Sequence, residues 1–157
     1  RAVYDGDDRE ARRLLSLGSH LAGAAFSNAG LGLVHAFAST VGGMTGDPHG
    51  ECLAASIRAG LTYNLPVRRE QYAGVARWLG LAGEDETDDE AARELIAGCE
   101  RLRDSLGLPD SFAAVGLGPG DVEAMVENTL VQERRLHTNP RAAVAEDLEE
   151  ILAASFE

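Results

Sequence analysis

Apolar residues recur at helical spacing along nearly the whole chain, and no stretch alternates with period two long enough for a strand. That single periodicity restricts the fold to packed helices. Residues 7–28 carry Leu14, Leu17, Leu21 and Ala25 on one helical stripe, with Asp7 and Asp8 at the positive end of the dipole. The Ala- and Gly-rich stretch 22–32 has few bulky side chains, which predicts a place buried between other helices. A short apolar helix is expected over 31–41, broken by Gly42-Gly43, and Thr45-Gly46-Asp47-Pro48 reads as a turn. Pro48-His49 opens the next helix, which Asn64-Leu65-Pro66 closes, and another follows over 68–79 until Gly80. Thr87 with Glu90 three residues on forms a capping box for a helix over 88–106. Helices over 119–136 and 141–156, separated by Asn139-Pro140, complete the chain. The expectation is an all-α, multi-helix bundle of about six or seven helices, with residues 1–157 in one domain.

Charge narrows the function. All 14 basic residues are Arg, against 26 acidic residues, giving a net charge of −12. A nucleic-acid partner held by phosphate contacts needs a basic face and is excluded. No apolar run approaches the ~20 residues that cross a bilayer, so no membrane partner is expected. Cys52 and Cys99 do not make a disulfide framework, which points to a cytoplasmic home. The chain opens on Arg1 rather than Met and reads as a piece of a longer protein.

Chemistry centres on the histidines. His35 lies on the short apolar helix, and His49 starts the next one beyond a Gly-rich turn. Such a hairpin brings two imidazoles together, and neutral imidazole is a ligand for iron, zinc, copper and nickel. Against this, a lone His on an apolar helix is more often a hydrogen-bonded core residue, and two ligands are too few for a divalent site. Asp47 is the nearest carboxylate and reads as support for the turn. His20 and His137, the latter expected in a loop, read as structural or solvated. The cysteines read as small buried apolar groups. Gly116-Leu117-Gly118-Pro119-Gly120 follows no strand and reads as a helix start rather than a phosphate loop. The acidic run 84–90 lacks EF-hand spacing and reads as a solvated loop.

The segment SHLAGAAFSNAGLGLVHAFA at residues 19–38 resembles the second-domain signature of the iron-containing (group III) alcohol dehydrogenases. Gly42-Gly43 and Pro48-His49-Gly50 continue it, and Asn64-Leu65-Pro66, Thr138-Asn139-Pro140-Arg141 and Glu146-Asp147-Leu148 match later parts of the family pattern. The resemblance implies the C-terminal helical domain of an enzyme whose N-terminal α/β domain binds NAD or NADP. It implies a divalent metal, Fe2+ or Zn2+, in the cleft between the domains, held by an Asp and a His that would precede Arg1 and by two later His matching His35 and His49. It also implies a small alcohol or aldehyde substrate and a homo-oligomer, commonly a dimer. The 157 residues alone are then expected to be inactive. Where the family usually carries a further His one turn after the first, this chain has Ser39, which would line the pocket and cannot titrate near neutral pH. Gly42-Gly43-Met44 and Thr62-Tyr63-Asn64 lean toward the related maleylacetate reductases, one alternative. A non-catalytic helical interaction module is the other.

Overall fold

The computed structural model describes residues 1–156. Among them are seven α-helices: α1 (Arg9–Ala29), α2 (Leu33–Thr45), α3 (His49–Trp78), α4 (Asp88–Ser105), α5 (Val122–Leu130), α6 (Glu133–His137) and α7 (Ala145–Ala154). Two 3₁₀ turns, Ala113–Val115 and Pro119–Asp121, lie between α4 and α5, and the described residues include no strand. No single helix among them is long and apolar enough to cross a membrane.

The described residues form two compact units, 1–31 and 32–156. The first is α1 with its lead-in. Asp8 stands at its N-cap, where its carboxylate accepts the Ala11 N–H at 2.9 Å. The expected burial of this region is not seen. Leu14, Leu17, Leu21 and Phe26 are all exposed, and so are Ala22, Ala24 and Ala25. The apolar stripe is present in the sequence, yet this helix buries only Ala11.

The second unit contains the cores. Leu33, Phe37 and Val41 of α2 pack with Cys52 and Ala55 of α3, Phe112, Met125 of α5, and Leu148 and Leu152 of α7. A second, alanine-rich cluster joins Leu65, just before the break in α3, and Ala73 and Ala76 beyond it to α4 (Ala91, Ala92, Leu95). Pro66 lies inside α3, where it lacks the N–H of a helical bond and crowds the preceding turn. The backbone breaks at Arg68 (φ −131°, ψ 22°), so α3 is two helical halves joined at a kink. The predicted pair of helices is therefore present, but the first runs on through Asn64 and Leu65 instead of ending there.

Three further boundaries differ from expectation. Gly42-Gly43 does not break α2, which continues to Thr45 and stops at Gly46 (φ +81°). A Cβ at Gly42 would meet Cys52 Sγ at 3.4 Å, so this glycine serves the approach of α3. The helix expected over 119–136 is interrupted at Gln132 (φ −84°, ψ 41°), giving α5 and α6, and His137 is the last residue of α6. Residues 141–144 are not helical, and side chains of α3 take two of their backbone groups. The Arg141 N–H donates to Asn64 Oδ1 at 3.3 Å, and Ala142 C=O accepts the Tyr63 hydroxyl at 2.5 Å. The capping box at Thr87 and Glu90 is formed as predicted.

Candidate metal centre

The α2–turn–α3 hairpin is built by local chemistry. Gly46 adopts the left-handed conformation that terminates α2. The Asp47 N–H donates to Thr45 Oγ1 at 3.2 Å, and Pro48, with φ −56°, occupies the N-cap position of α3. The Cys52 thiol donates to Asp47 C=O at 3.5 Å, tying the turn to the first turn of α3. His49 is thereby the first residue of α3, and His35 lies in the first turn of α2.

The two imidazoles meet. Their ring centroids are 5.7 Å apart with planes inclined at 51°. With metal–nitrogen bonds of about 2.1 Å, two imidazoles on one ion have centroids roughly 5–6 Å apart, so this spacing suits a shared ion. His35 is half-buried and His49 exposed. Burial first, then the positive charges of His49 and Arg135, hold the His35 pKa below the ordinary imidazole value. Near neutral pH His35 therefore keeps a nitrogen lone pair, the form that ligates metal.

Among the described residues no group of three or more His, Cys, Asp or Glu converges on one point, so a divalent ion here needs further donors. Ser39 is half-buried one helical turn beyond His35. His20 is exposed on α1, and His137 is exposed at the end of α6. Cys52 is buried and Cys99 half-buried, both unoxidised, and burial raises both thiol pKa values. The Gly116–Gly120 stretch opens a 3₁₀ turn, with the Gly118 N–H donating to Asp121 Oδ2 at 2.8 Å. The acidic run starts α4: Glu90 completes the cap, and Arg77 binds Asp88 and the Glu86 carbonyl.

The sequence pattern of the Fe-containing alcohol dehydrogenase family, C-terminal region, matches residues 1–156. The chain belongs to the Fe-containing alcohol dehydrogenases. It is 32% identical over 152 residues to the NAD-dependent methanol dehydrogenase of Bacillus methanolicus, covering 97% of this chain and 40% of that protein. It is 37% identical over 157 residues to a 1-propanol dehydrogenase of Salmonella typhimurium, covering 96% and 42%. Among solved structures, an alcohol dehydrogenase from Oenococcus oeni superposes with a TM-score of 0.91 at 34% identity, over 99% of this chain and 40% of that one. This chain thus spans about 40% of the length of the relatives it matches.

Two features of this chain have no signal in the sequence. Arg135, a hundred positions along the chain from His35, adds positive charge to its surroundings. Its guanidinium donates to Gln132 Oε1, and its Nε is buried without a partner. Asn64 and Asn139, which read locally as helix end and turn, bond to each other in the interior. Neither feature has a local signal, because both depend on residues brought together from opposite ends of the second unit.

Proposed function

We propose that this chain is the metal-holding helical part of an NAD(P)-linked alcohol dehydrogenase, with His35 and His49 as two of the metal's ligands. The observation that carries the reading is the pairing of the two imidazoles at 5.7 Å on a pre-formed helix–turn–helix. Membership of the Fe-containing family supports iron as the ion, with zinc as the substitute of like donor chemistry. The relatives' names support a small alcohol or aldehyde as substrate and NAD as electron carrier.

The chemistry such an ion supplies is Lewis-acid stabilisation of charge developing on the substrate oxygen. The chain's own part is to hold the imidazoles. His35 presents a neutral ring from a half-buried helix face, and the turn bonded through Cys52 and Thr45 fixes His49 opposite it. Ser39 places a hydroxyl one turn from His35, able to donate or accept a hydrogen bond in the pocket without changing charge. The remaining donors and the dinucleotide site are assigned to the portion of the relatives that this chain does not span. The two free cysteines fit a cytoplasmic enzyme.

The test is His35→Ala and His49→Ala in the full-length protein, with metal content and alcohol-dependent NAD reduction measured together. Loss of bound metal and of most turnover is expected from either change. Wild-type metal content in both variants overturns the assignment.

A further inference from the structure

We propose that the amide pair Asn64–Asn139 is the positioning device of His35: it caps α2 from another part of the chain and fixes the register in which His35 meets His49. The proposal deepens the metal-site reading and rests on it.

The first N–H groups of a helix have no partner within it. The N-cap of α2 is Gly32, which has no side chain to supply one. Asn139, 106 residues from Leu33, supplies it instead: its Oδ1 accepts the Leu33 N–H at 2.9 Å. The Gly32 carbonyl in turn accepts both the His35 and the Ala36 N–H at 3.1 Å. One hydrogen-bonded turn therefore joins the backbone that Asn139 holds to the residue that carries the imidazole.

Asn139 is itself fully determined. Its Nδ2 donates to Asn64 Oδ1 at 2.8 Å and to the Arg141 carbonyl at 2.6 Å. Asn64 Nδ2 donates to Asn139 Oδ1 at 2.9 Å and to the Gly60 carbonyl at 3.1 Å. Every amide proton of the pair has an acceptor, and both side chains are buried. A flipped Asn139 amide would turn its NH2 against the Leu33 N–H, so the network admits one orientation. Asn64 stands on α3, the helix that His49 begins. The pair therefore references the start of α2 to the element bearing the other imidazole. A helix turns about 100° per residue, so a one-residue slip of the first turn would swing His35 away from His49.

A second probe acts on the pair without removing it. Gly32 has extended backbone (φ −110°, ψ −156°) that alanine adopts, but a Cβ there would lie 2.7 Å from Asn139 Oδ1. Gly32→Ala therefore displaces the oxygen that caps Leu33 and receives Asn64 Nδ2, with both amides still present.

The experiment uses the full-length protein with Zn2+ as probe. The Zn2+ dissociation constant is measured by chelator competition, well below the melting temperature. The melting temperature of the metal-free protein and the kcat and KM for an alcohol are measured beside it. Asn139→Ala and Gly32→Ala are expected to weaken Zn2+ about 10–100-fold, the range seen when groups that orient metal ligands are lost. The fall in kcat should exceed the change in KM, and metal-free Gly32→Ala should melt no lower than metal-free Asn139→Ala, since it keeps the amide pair. His35→Ala separates the two readings. If it keeps wild-type Zn2+ affinity, the metal-site reading falls and the proposal with it. If it loses Zn2+ while Gly32→Ala binds normally, the positioning role is overturned and the metal site stands. Should Asn139→Ala not fold, Gly32→Ala decides alone.

Discussion

Alanine in place of Gly60 tests the seat of α2 on α3. A Cβ at Gly60 would lie 2.5 Å from Val34 Cγ2, 2.9 Å from Val34 N and 3.1 Å from Val34 Cα. The methyl has little freedom, because a helical valine keeps one preferred rotamer. The backbone atoms yield only if the first turn of α2 moves. Such overpacking costs about 1–3 kcal/mol, against a gain of about 0.5–1 kcal/mol from replacing a helical glycine. The net loss of about 0.5–2 kcal/mol lowers the melting temperature by roughly 1–8 °C at this chain length. Gly74→Ala is the matched control, since it lies on the same helix with open space around its Cβ position. It gains the same propensity with no clash and should melt about 1–4 °C higher. Thermal unfolding followed by far-UV circular dichroism reads both. If Gly60→Ala also raises the melting temperature, the close approach of the two helices is wrong.

Other expectations concern the packing around this seat. Leu148→Ala empties a fully buried position of α7 in the main core and should lower unfolding free energy by about 2–5 kcal/mol in urea titration. Thr87→Ala removes one half of the capping box on α4 and should cost about 1 kcal/mol by the same assay, whereas an unchanged midpoint would discount the cap. Burial first of all raises the pKa values of Cys52, Tyr63 and Tyr72 above the ordinary 9.0 and 10.0. The folded state therefore keeps protons that the unfolded chain releases. The stability these groups contribute is intact below pH 9 and is lost as pH rises through the ordinary values toward the raised ones. Melting temperatures measured from neutral to strongly alkaline pH should fall on that side, and Cys52→Ala should blunt the onset.

Much of this architecture was legible because helix signals are local. The Thr87 capping box and the turn at Gly46 each depend on neighbours within four residues, and each lies where the sequence placed it, whereas the stop read at Pro66 is found two residues later as a kink inside α3. The errors arose where distant contacts overrode local preference. Gly42 and Gly43 read as breakers, yet α2 runs past them to Thr45, and the bare face of Gly42 admits Cys52 of α3. Residues 141–144 read as helix, yet the Arg141 amide is taken by Asn64 and the Ala142 carbonyl by Tyr63. At the candidate site, His35 and His49 were visible because fourteen residues and one turn separate them. Arg135 and Asn139 were not, because nothing near them in sequence reports what they face.

The kink at Arg68 divides one long element between two cores of unequal quality. Before it, α3 packs against α2 and large side chains such as Phe37 and Phe112. Beyond it, α3 and α4 share mostly alanines, which bury little apolar area each. Regions with less buried surface open at lower free energy. Of the two cores, the one shared by α4 and the outer half of α3 is therefore the one whose amide protons exchange first. Its opening breaks at a ready-made joint, and the layer that holds the two imidazoles stays closed.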